Sequence, residues 1–244
     1  MLLISLLLNR FLNGSGTNLS FLTLIVQTYY IISTDSVMSV GNWSPSVQKD
    51  EATIAFVTSL NSFGISTEEE LNKILPHVKL IPFAKHQHLY QAGDIASHVY
   101  FICKGLVRFY YTTEDGKEVN KSFGSEGKFV GALQSSHHPQ PCRYHIQALE
   151  DTTTLSVPIK LLHQLYITSL PWATLGRVYM ENLAVKKQQR EAQFLLDNAE
   201  QRYLDFINEN KALAERLPQY HIASYLGITD VALSRVRGKL KKKW

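Results

Sequence analysis

The middle of the chain alternates short apolar runs with turn residues. Runs rich in β-branched and aromatic residues predict β-strands at 78–81, 99–102, 106–111, 128–130, 144–148 and 154–157. Turns containing glycine or acidic residues separate them at intervals of roughly ten residues, and Asp115-Gly116 strongly indicates a hairpin. Many short strands with regular turns predict an all-β sandwich or barrel.

Apolar residues at helical spacing flank this β region on both sides. They predict a helical segment over 50–77 that is interrupted at Gly64, with Ser66 and Glu69 forming a capping box. Further helices are predicted over 170–196 and from 198 to about 208. The second half of the helix over 170–196 is polar almost all round, so its apolar stripe packs either on a second copy of the chain or on the β region.

Residues 217–237 predict two short helices joined by a tight turn. Pro218 suits the first turn of the first helix, and Ile222 and Leu226 form its buried face. Gly227 supplies the left-handed residue of the turn, and Thr229 caps the second helix. This arrangement is typical of a helix-turn-helix.

The second of these helices has an apolar inner face and a polar or basic outer face. Leu233 and Val236 face inward, whereas Asp230 complements the helix dipole at its first turn. From residue 216 onward Asp230 is the single acid, against a set of basic residues: Arg216, Arg235, Arg237, Lys239, Lys241, Lys242 and Lys243. A basic helix of this kind can enter a DNA major groove about 12 Å wide.

Overall composition changes this picture little. The formal net charge is only +4, so the basic C-terminal segment stands out against a nearly neutral remainder. The apolar runs at 1–8 and 19–32 are too short or too interrupted to span a bilayer, and we predict a cytoplasmic protein with no membrane partner. We interpret residues 1–49 as an N-terminal extension, either a start assigned too far upstream or a disordered segment.

Metal ligands and reactive groups form no convincing cluster in the sequence. Cys103 and Cys142 lack the spacing of a disulfide framework or a zinc ribbon, which indicates two inert thiols. The adjacent His137 and His138 diverge, so we interpret them as part of a polar surface loop. The sequence shows no nucleophile with a base, no P-loop and no paired carboxylates, and we predict neither an enzyme nor a bound metal or cofactor.

Residues 89–108 closely resemble the opening strands of the Crp/Fnr family, which includes the cyclic-AMP receptor protein and the fumarate-nitrate regulator. Residues 217–237 look like the helix-turn-helix of the same family. Turn glycines of that family match Gly93, Gly105, Gly116 and Gly127. The resemblance implies an α+β fold: a jelly-roll (double-stranded β-helix), cyclic-nucleotide-binding-like sensor domain over 50–168, a connecting and dimerisation helix over 169–197, and a winged-helix-type helix-turn-helix over 198–244.

This resemblance implies a homodimeric transcriptional regulator that binds a palindromic operator in double-stranded DNA, with RNA polymerase as a further partner to consider. The residues expected to bind DNA are Thr229, Asp230, Val231, Ser234, Arg235, Arg237 and Lys239. Val231 replaces a glutamate with which the family commonly binds cytosine, so the operator half-site should differ from the best-known ones. Asp230 either takes over that contact or acts only as a dipole partner.

The resemblance fails in the sensor pocket. Nucleotide-binding members hold the ribose with a glutamate and the cyclic phosphate with an arginine, and the aligned positions are Ala132 and Cys142. A buried phosphate without its arginine would cost several kcal/mol, so we predict that cyclic AMP is not the effector. Arg143 is one residue late, and along a strand a shift of one residue turns the side chain to the opposite face, unless a bulge restores it. The expected pocket for an unidentified small-molecule effector comprises Gly131, Ala132, Leu133, Cys142, Arg143 and Tyr144.

Two other classes of protein share parts of the pattern. A cyclic-nucleotide-binding-like regulatory module of a channel or kinase has the jelly roll but needs no basic helix-turn-helix. A cupin-type metalloenzyme would use His86 and His88, but the glutamate that should follow is replaced by Gln91, and no later strand supplies a third histidine. Stoichiometric metal in the purified protein would favour the cupin class.

Overall fold

The computed structural model describes residues 50–132 and 140–241, so the extension over 1–49 lies outside the described residues. Helices come first, then a β domain, then helices again. The helices before the β domain are α1 (Glu51–Ser62) and α2 (Glu68–Asn72), followed by a 3-10 turn at Leu75–His77. The strands are β1 (Lys79–Phe83), β2 (His88–Tyr90), β3 (His98–Lys104), β4 (Leu106–Thr112), β5 (Glu118–Ser125), β6 (Phe129–Val130), β7 (His145–Ala148) and β8 (Thr152–Pro158). The later helices are α3 (Ile159–Thr168), α4 (Leu170–Leu196), α5 (Ala199–Glu209), α6 (Lys211–Arg216), α7 (Gln219–Leu226) and α8 (Asp230–Lys241).

The strands form two four-stranded antiparallel sheets, in the orders β1-β8-β3-β6 and β2-β7-β4-β5. Apolar residues of both sheets meet in one core, which includes the fully buried Ile102, Val107 and Ile146. Burial of each such side chain stabilises the fold by about 1.5–3 kcal/mol. The two packed sheets confirm the predicted jelly-roll fold class.

Strands β4 and β5 form the hairpin that Asp115-Gly116 predicts. Gly116 adopts φ +79°, and its amide donates to the carbonyl of Thr113 at 2.9 Å. The apolar pattern alone does not reveal β5, because its sequence is mostly polar and glycine-containing. It does not reveal β2 or helix α3 either. Strand β5 pairs with the preceding strand β4, and β2 pairs with the distant strand β7. Helix α3 packs against its sequence neighbours β8 and α4.

The helix cap near residue 66 lies one residue later than predicted. Thr67, not Ser66, is the N-cap of α2, and its hydroxyl accepts from the amide of Glu70 at 3.3 Å. Glu69 accepts a hydrogen bond from Lys73 instead of closing a capping box. Leu71 is the residue of α2 that is buried.

Helix α4 confirms the helix predicted over 170–196. Its first half packs on the β domain of the same chain, where Leu175 is buried and the hydroxyl of Tyr179 donates to the carbonyl of Phe129 at 3.0 Å. None of the helices in the described residues combines the length and apolar character that crossing a membrane requires.

The C-terminal region differs from the winged-helix type in one respect. Residues 199–241 contain no β-strand, so the wing implied by the resemblance is not found in that range. Residues 211–216 consist largely of good helix formers and fold as α6 between α5 and α7. The helix-turn-helix itself is formed by α7 and α8.

Candidate nucleic-acid interface and sensor pocket

The turn between α7 and α8 has the predicted geometry. Gly227 adopts φ +69° and ψ +33°, the left-handed conformation that ends α7. The hydroxyl of Thr229 then accepts from the amide of Ala232 at 3.2 Å, which caps α8. Ile222, Leu226 and Leu233 are all buried where the two helices meet, as the sequence predicts.

The outer face of α8 is open to solvent. Val231 is 61% exposed, and Arg237 is half-buried. The remaining residues expected to bind DNA are exposed: Thr229, Asp230, Ser234, Arg235 and Lys239. Within the part of the chain that the structure describes, Arg235 takes part in no ion pair. The side chains of Lys241, Lys242 and Lys243 lie outside the described part.

The helix-turn-helix packs directly on the β domain. Leu106 of β4 belongs to the same buried cluster as four residues of the C-terminal unit: Leu217, Ile222, Leu226 and Leu233. Arg216 supports this contact, since its guanidinium donates to both oxygens of Glu126, at 2.8 and 3.0 Å, and also to Glu150. Burial raises the pKa of Glu126, but the bonds from Arg216 outweigh that effect and lower it to about 2.

A polar cluster joins β5 to α7 in the same contact. Nδ2 of Asn120 donates to the carbonyl of His221 at 3.1 Å and lies 3.0 Å from Nδ1 of that ring. Because an amide nitrogen can only donate, Nδ1 is the unprotonated ring nitrogen. The backbone amide of Asn120 also donates to the hydroxyl of Ser224 at 2.9 Å. The pairing of Asn120 with His221 cannot be predicted from the sequence, because the two residues lie 101 positions apart.

The His221 ring makes the stability of the docked helix-turn-helix depend on pH. Burial, the positive charge of Arg108 and His86 lower the pKa of His221 to about 4, although Glu118 raises it. Below pH about 6.5, His221 therefore becomes protonated in the unfolded chain but stays neutral in the folded chain. We expect stability to fall by up to about 1.4 kcal/mol per pH unit from pH 6.5 towards 4.

Urea unfolding of the wild type and of His221→Gln between pH 7.5 and 4.5 measures this effect. The difference in unfolding free energy between the two proteins should be constant above pH about 6.5 and should shrink below it. The subtraction removes the titration of Glu126 and other carboxyls that both proteins share. A difference that does not change with pH would contradict the assigned role of His221.

The expected effector pocket is largely filled by the chain itself. Ala132, Cys142 and Tyr144 are buried in the core between the sheets, and the hydroxyl of Tyr144 donates to the carbonyl of Gly131 at 3.1 Å. Arg143 is exposed, as its position one residue along the chain predicts. Leu133, His137 and His138 lie outside the described residues.

A lysine that sequence analysis does not single out lies beside this region. Nζ of Lys121 on β5 lies 4.4 Å from the ring centroid of Tyr144 and 5.5 Å from that of Phe109. Burial, and then the charges of Lys187 and Arg190 on α4, lower the pKa of Lys121 to about 8. No local pattern marks this residue, since β5 reads as a polar segment and α4 lies far along the chain.

The candidate metal ligands and thiols that the structure describes, His86, His88, Cys103 and Cys142, do not assemble into a site. The ring of His88 bonds the hydroxyl of Tyr110 at 2.9 Å, whereas His86 is exposed in a turn. Across residues 50–132 and 140–241 there is no group of three or more His, Cys, Asp or Glu side chains placed to hold a metal. Cys103 and Cys142 are both unbridged, and burial raises the pKa of Cys103 to about 11.

Comparison with known proteins gives concordant results for sequence and fold. Residues 80–169 match the cyclic nucleotide-binding domain family. The chain is 30% identical over 190 residues to the fumarate and nitrate reduction regulatory proteins of Escherichia coli K12 and Salmonella typhimurium, covering 71% of this chain and 72% of theirs. Among solved structures, FixK2 from Bradyrhizobium japonicum superposes with a TM-score of 0.60 at 21% identity, over 68% of this chain and 85% of that one. A CooA variant from Carboxydothermus hydrogenoformans superposes with a TM-score of 0.54 at 22% identity, over 71% and 78%.

Proposed function

Because this chain belongs to the Crp/Fnr family of transcriptional regulators, we propose that it regulates transcription by binding specific DNA sequences through the outer face of α8. The observation that carries the proposal is that one face of α8 is buried and the opposite face is exposed to solvent. Leu233 is 1% exposed, which fixes α8 in the protein core, whereas Val231 on the outer face is 61% exposed. A helix held in this way presents a fixed set of side chains to a major groove.

Each residue of the outer face has a defined role in this proposal. The Arg235 guanidinium donates two hydrogen bonds to O6 and N7 of a guanine, and the hydroxyl of Ser234 bonds a neighbouring base. Val231 contacts a thymine methyl group. Asp230 complements the helix dipole, and a contact from it to cytosine is the alternative. A further group positions the protein on the duplex: Thr229 as the cap of α8, and Arg237 and Lys239 as phosphate contacts.

We further propose a homodimer that is joined along α4. The described part of this helix exposes Leu170, Met180 and Val185, which provide apolar surface beyond that used against the β domain. Two copies related by a twofold axis would place their α8 helices in successive major grooves about 34 Å apart, which favours a palindromic operator. The proposal places the protein in the cytoplasm without a membrane partner and includes RNA polymerase as a partner at the promoter.

The proposed sensor domain responds to an effector other than cyclic AMP. The two positions at which nucleotide-binding members carry a glutamate and an arginine are occupied by Ala132 and Cys142, which are 2% and 3% exposed and pack in the apolar core. Arg143, the residue after the position of the missing arginine, is exposed and does not replace it. An unpaired phosphate there would be strongly destabilised.

Genomic footprinting followed by fluorescence anisotropy tests the proposed function. Footprinting identifies bound DNA, and a duplex of that sequence is then compared with a scrambled duplex of the same composition. We expect tighter binding to the identified sequence, and a steep loss of affinity for both duplexes between about 50 and about 200 mM salt. Absence of affinity for either duplex at low salt would refute the proposal.

A further inference from the structure

The C-terminal half of α4 contacts the turn of the helix-turn-helix. The guanidinium of Arg190 donates to the carbonyl of Tyr225 at 2.7 Å, and its Cζ lies 3.7 Å from the centroid of the Tyr225 ring. Phe194 lies four residues further along α4, on the same face of the helix. It touches the turn itself, because a Cβ added to Gly227 would lie 2.9 Å from its Cε1 atom. One face of α4 therefore contacts both the end of α7 and the glycine that leads to α8.

Arg190 is well suited to this contact. The last carbonyls of a helix lack partners within the helix, and a positive charge is stabilised near them. Tyr225 is the last residue but one of α7, so the hydrogen bond from Arg190 satisfies a carbonyl of this kind. The Tyr225 ring in turn packs on Phe206 of α5 and Phe123 of β5, with centroids 5.2 and 5.5 Å apart. A cation placed over this ring is thereby held against three other elements of the chain.

A second arginine fixes the end of α4 to α5. The guanidinium of Arg202 on α5 donates to the carbonyl of Asp197, the C-cap of α4, at 2.7 Å. The Cζ atoms of Arg190 and Arg202 lie 4.7 and 5.3 Å from the centroid of the Phe194 ring. Phe194 thus contacts a cation of α4, a cation of α5 and the turn before α8. A rotation of α8 relative to α4 would break several of these contacts at once.

We propose that Arg190 is a positioning residue that fixes the orientation of α8 relative to α4, and thereby the spacing of operator half-sites that the protein accepts. The inference rests on the proposed function, in which α4 joins two copies of the chain and α8 enters a major groove. In that dimer the two α4 helices define the twofold axis, so the contact of α4 with the helix-turn-helix sets the separation of the two α8 helices. Arg190 acts through Tyr225 and contacts no base itself.

Fluorescence anisotropy of the full chain with three duplexes tests the inference. One duplex carries the palindromic operator identified by footprinting, and the other two have one base pair more or one fewer between the half-sites. One base pair changes the separation by about 3.4 Å and the relative rotation by about 34°. We expect the wild type to bind the altered duplexes at least about tenfold more weakly than the operator. In Arg190→Met this difference should shrink to about threefold or less, because methionine keeps apolar packing but loses the hydrogen bond and the planar stack.

Two further variants and one further duplex separate positioning from other roles. A single half-site should be preferred over a scrambled duplex equally by the wild type and by Arg190→Met, because α8 is unchanged. Lys186→Met removes the same charge from an exposed position one turn earlier on α4, and it should keep the wild-type dependence on spacing. Phe194→Leu removes the ring from the turn at a position that is 42% exposed, so the variant should fold and should relax the dependence on spacing.

The outcomes distinguish this inference from the proposed function. Wild-type dependence on spacing in Arg190→Met, or in Phe194→Leu should Arg190→Met not fold, would overturn the inference. A wild type that binds all three duplexes equally would overturn it too, as would a loss of half-site preference in Arg190→Met or a relaxed dependence in Lys186→Met. In each of these cases specific DNA binding by the wild type leaves the proposed function intact. A wild type without affinity for any duplex refutes both.

Discussion

We expect Arg235→Ala to remove most of the preference for operator DNA while nonspecific binding to DNA persists. The guanidinium lies on the exposed face of α8 and makes no ion pair in the described residues, so it is free to contact a guanine without breaking a bond within the protein. Loss of a two-bond contact of this kind costs about 1–3 kcal/mol for each half-site. Fluorescence anisotropy with operator and scrambled duplexes at several salt concentrations measures the ratio of the two affinities.

Lys239→Ala is the matched control for this experiment. Lys239 lies further along the same exposed helix and is proposed to contact phosphate. Its removal should weaken binding to both duplexes equally and reduce the slope of log affinity against log salt by about 1. If Arg235→Ala keeps the wild-type ratio of operator to scrambled affinity, Arg235 does not contact a base, and its proposed role is refuted.

Gly105→Ala should be among the most destabilising substitutions of a turn glycine in this protein. Gly105 joins β3 to β4 with φ +112°, and an added Cβ would lie 2.7 Å from Cα and 2.8 Å from Cβ of Thr152, in addition to contacting its hydroxyl. The backbone of β8 cannot move aside cheaply, and the backbone conformation is itself strained for alanine. We expect a loss of about 3 kcal/mol or more of unfolding free energy, measured by urea unfolding.

Gly116→Ala separates steric overlap from backbone strain. Gly116 also has a positive φ, +79°, but an added Cβ would meet no atom within 4 Å. Its substitution should cost only about 1 kcal/mol, the price of the left-handed conformation. Equal losses of unfolding free energy for the two variants would show that the close approach of Gly105 to Thr152 adds nothing to the destabilisation. The amide of Gly105 also donates to Glu126 at 2.8 Å, so Gly105→Ala should in addition weaken the contact with Arg216.

The elements that sequence analysis predicts well are those with local signals. The helix over 170–196 has few breakers, the Asp115-Gly116 turn needs a residue with positive φ, and Gly227 followed by Thr229 marks the end of one helix and the start of the next. Each of these signals acts over a few residues. They are therefore readable without knowledge of what the segment packs against.

The elements that sequence analysis misses depend on distant partners. Strand β5 is polar where Asn120 bonds α7 and where Lys121 lies over the ring of Tyr144, and neither of these neighbours belongs to the β4–β5 hairpin. The resemblance is carried by residues 217–237, so it could not show that residues 199–241 contain no wing.

The sequence by itself determined the family, the strand-and-turn pattern of the jelly roll and the two helices of the helix-turn-helix. It could do so because turn glycines, caps and hydrophobic periodicity are properties of short segments. Only the tertiary structure decided which polar residues meet across the protein: Arg216 with Glu126, and Asn120 with His221. Pairings of this kind arise when segments more than 60 residues apart fold against each other, and their energies depend on burial and distance that a linear sequence does not contain.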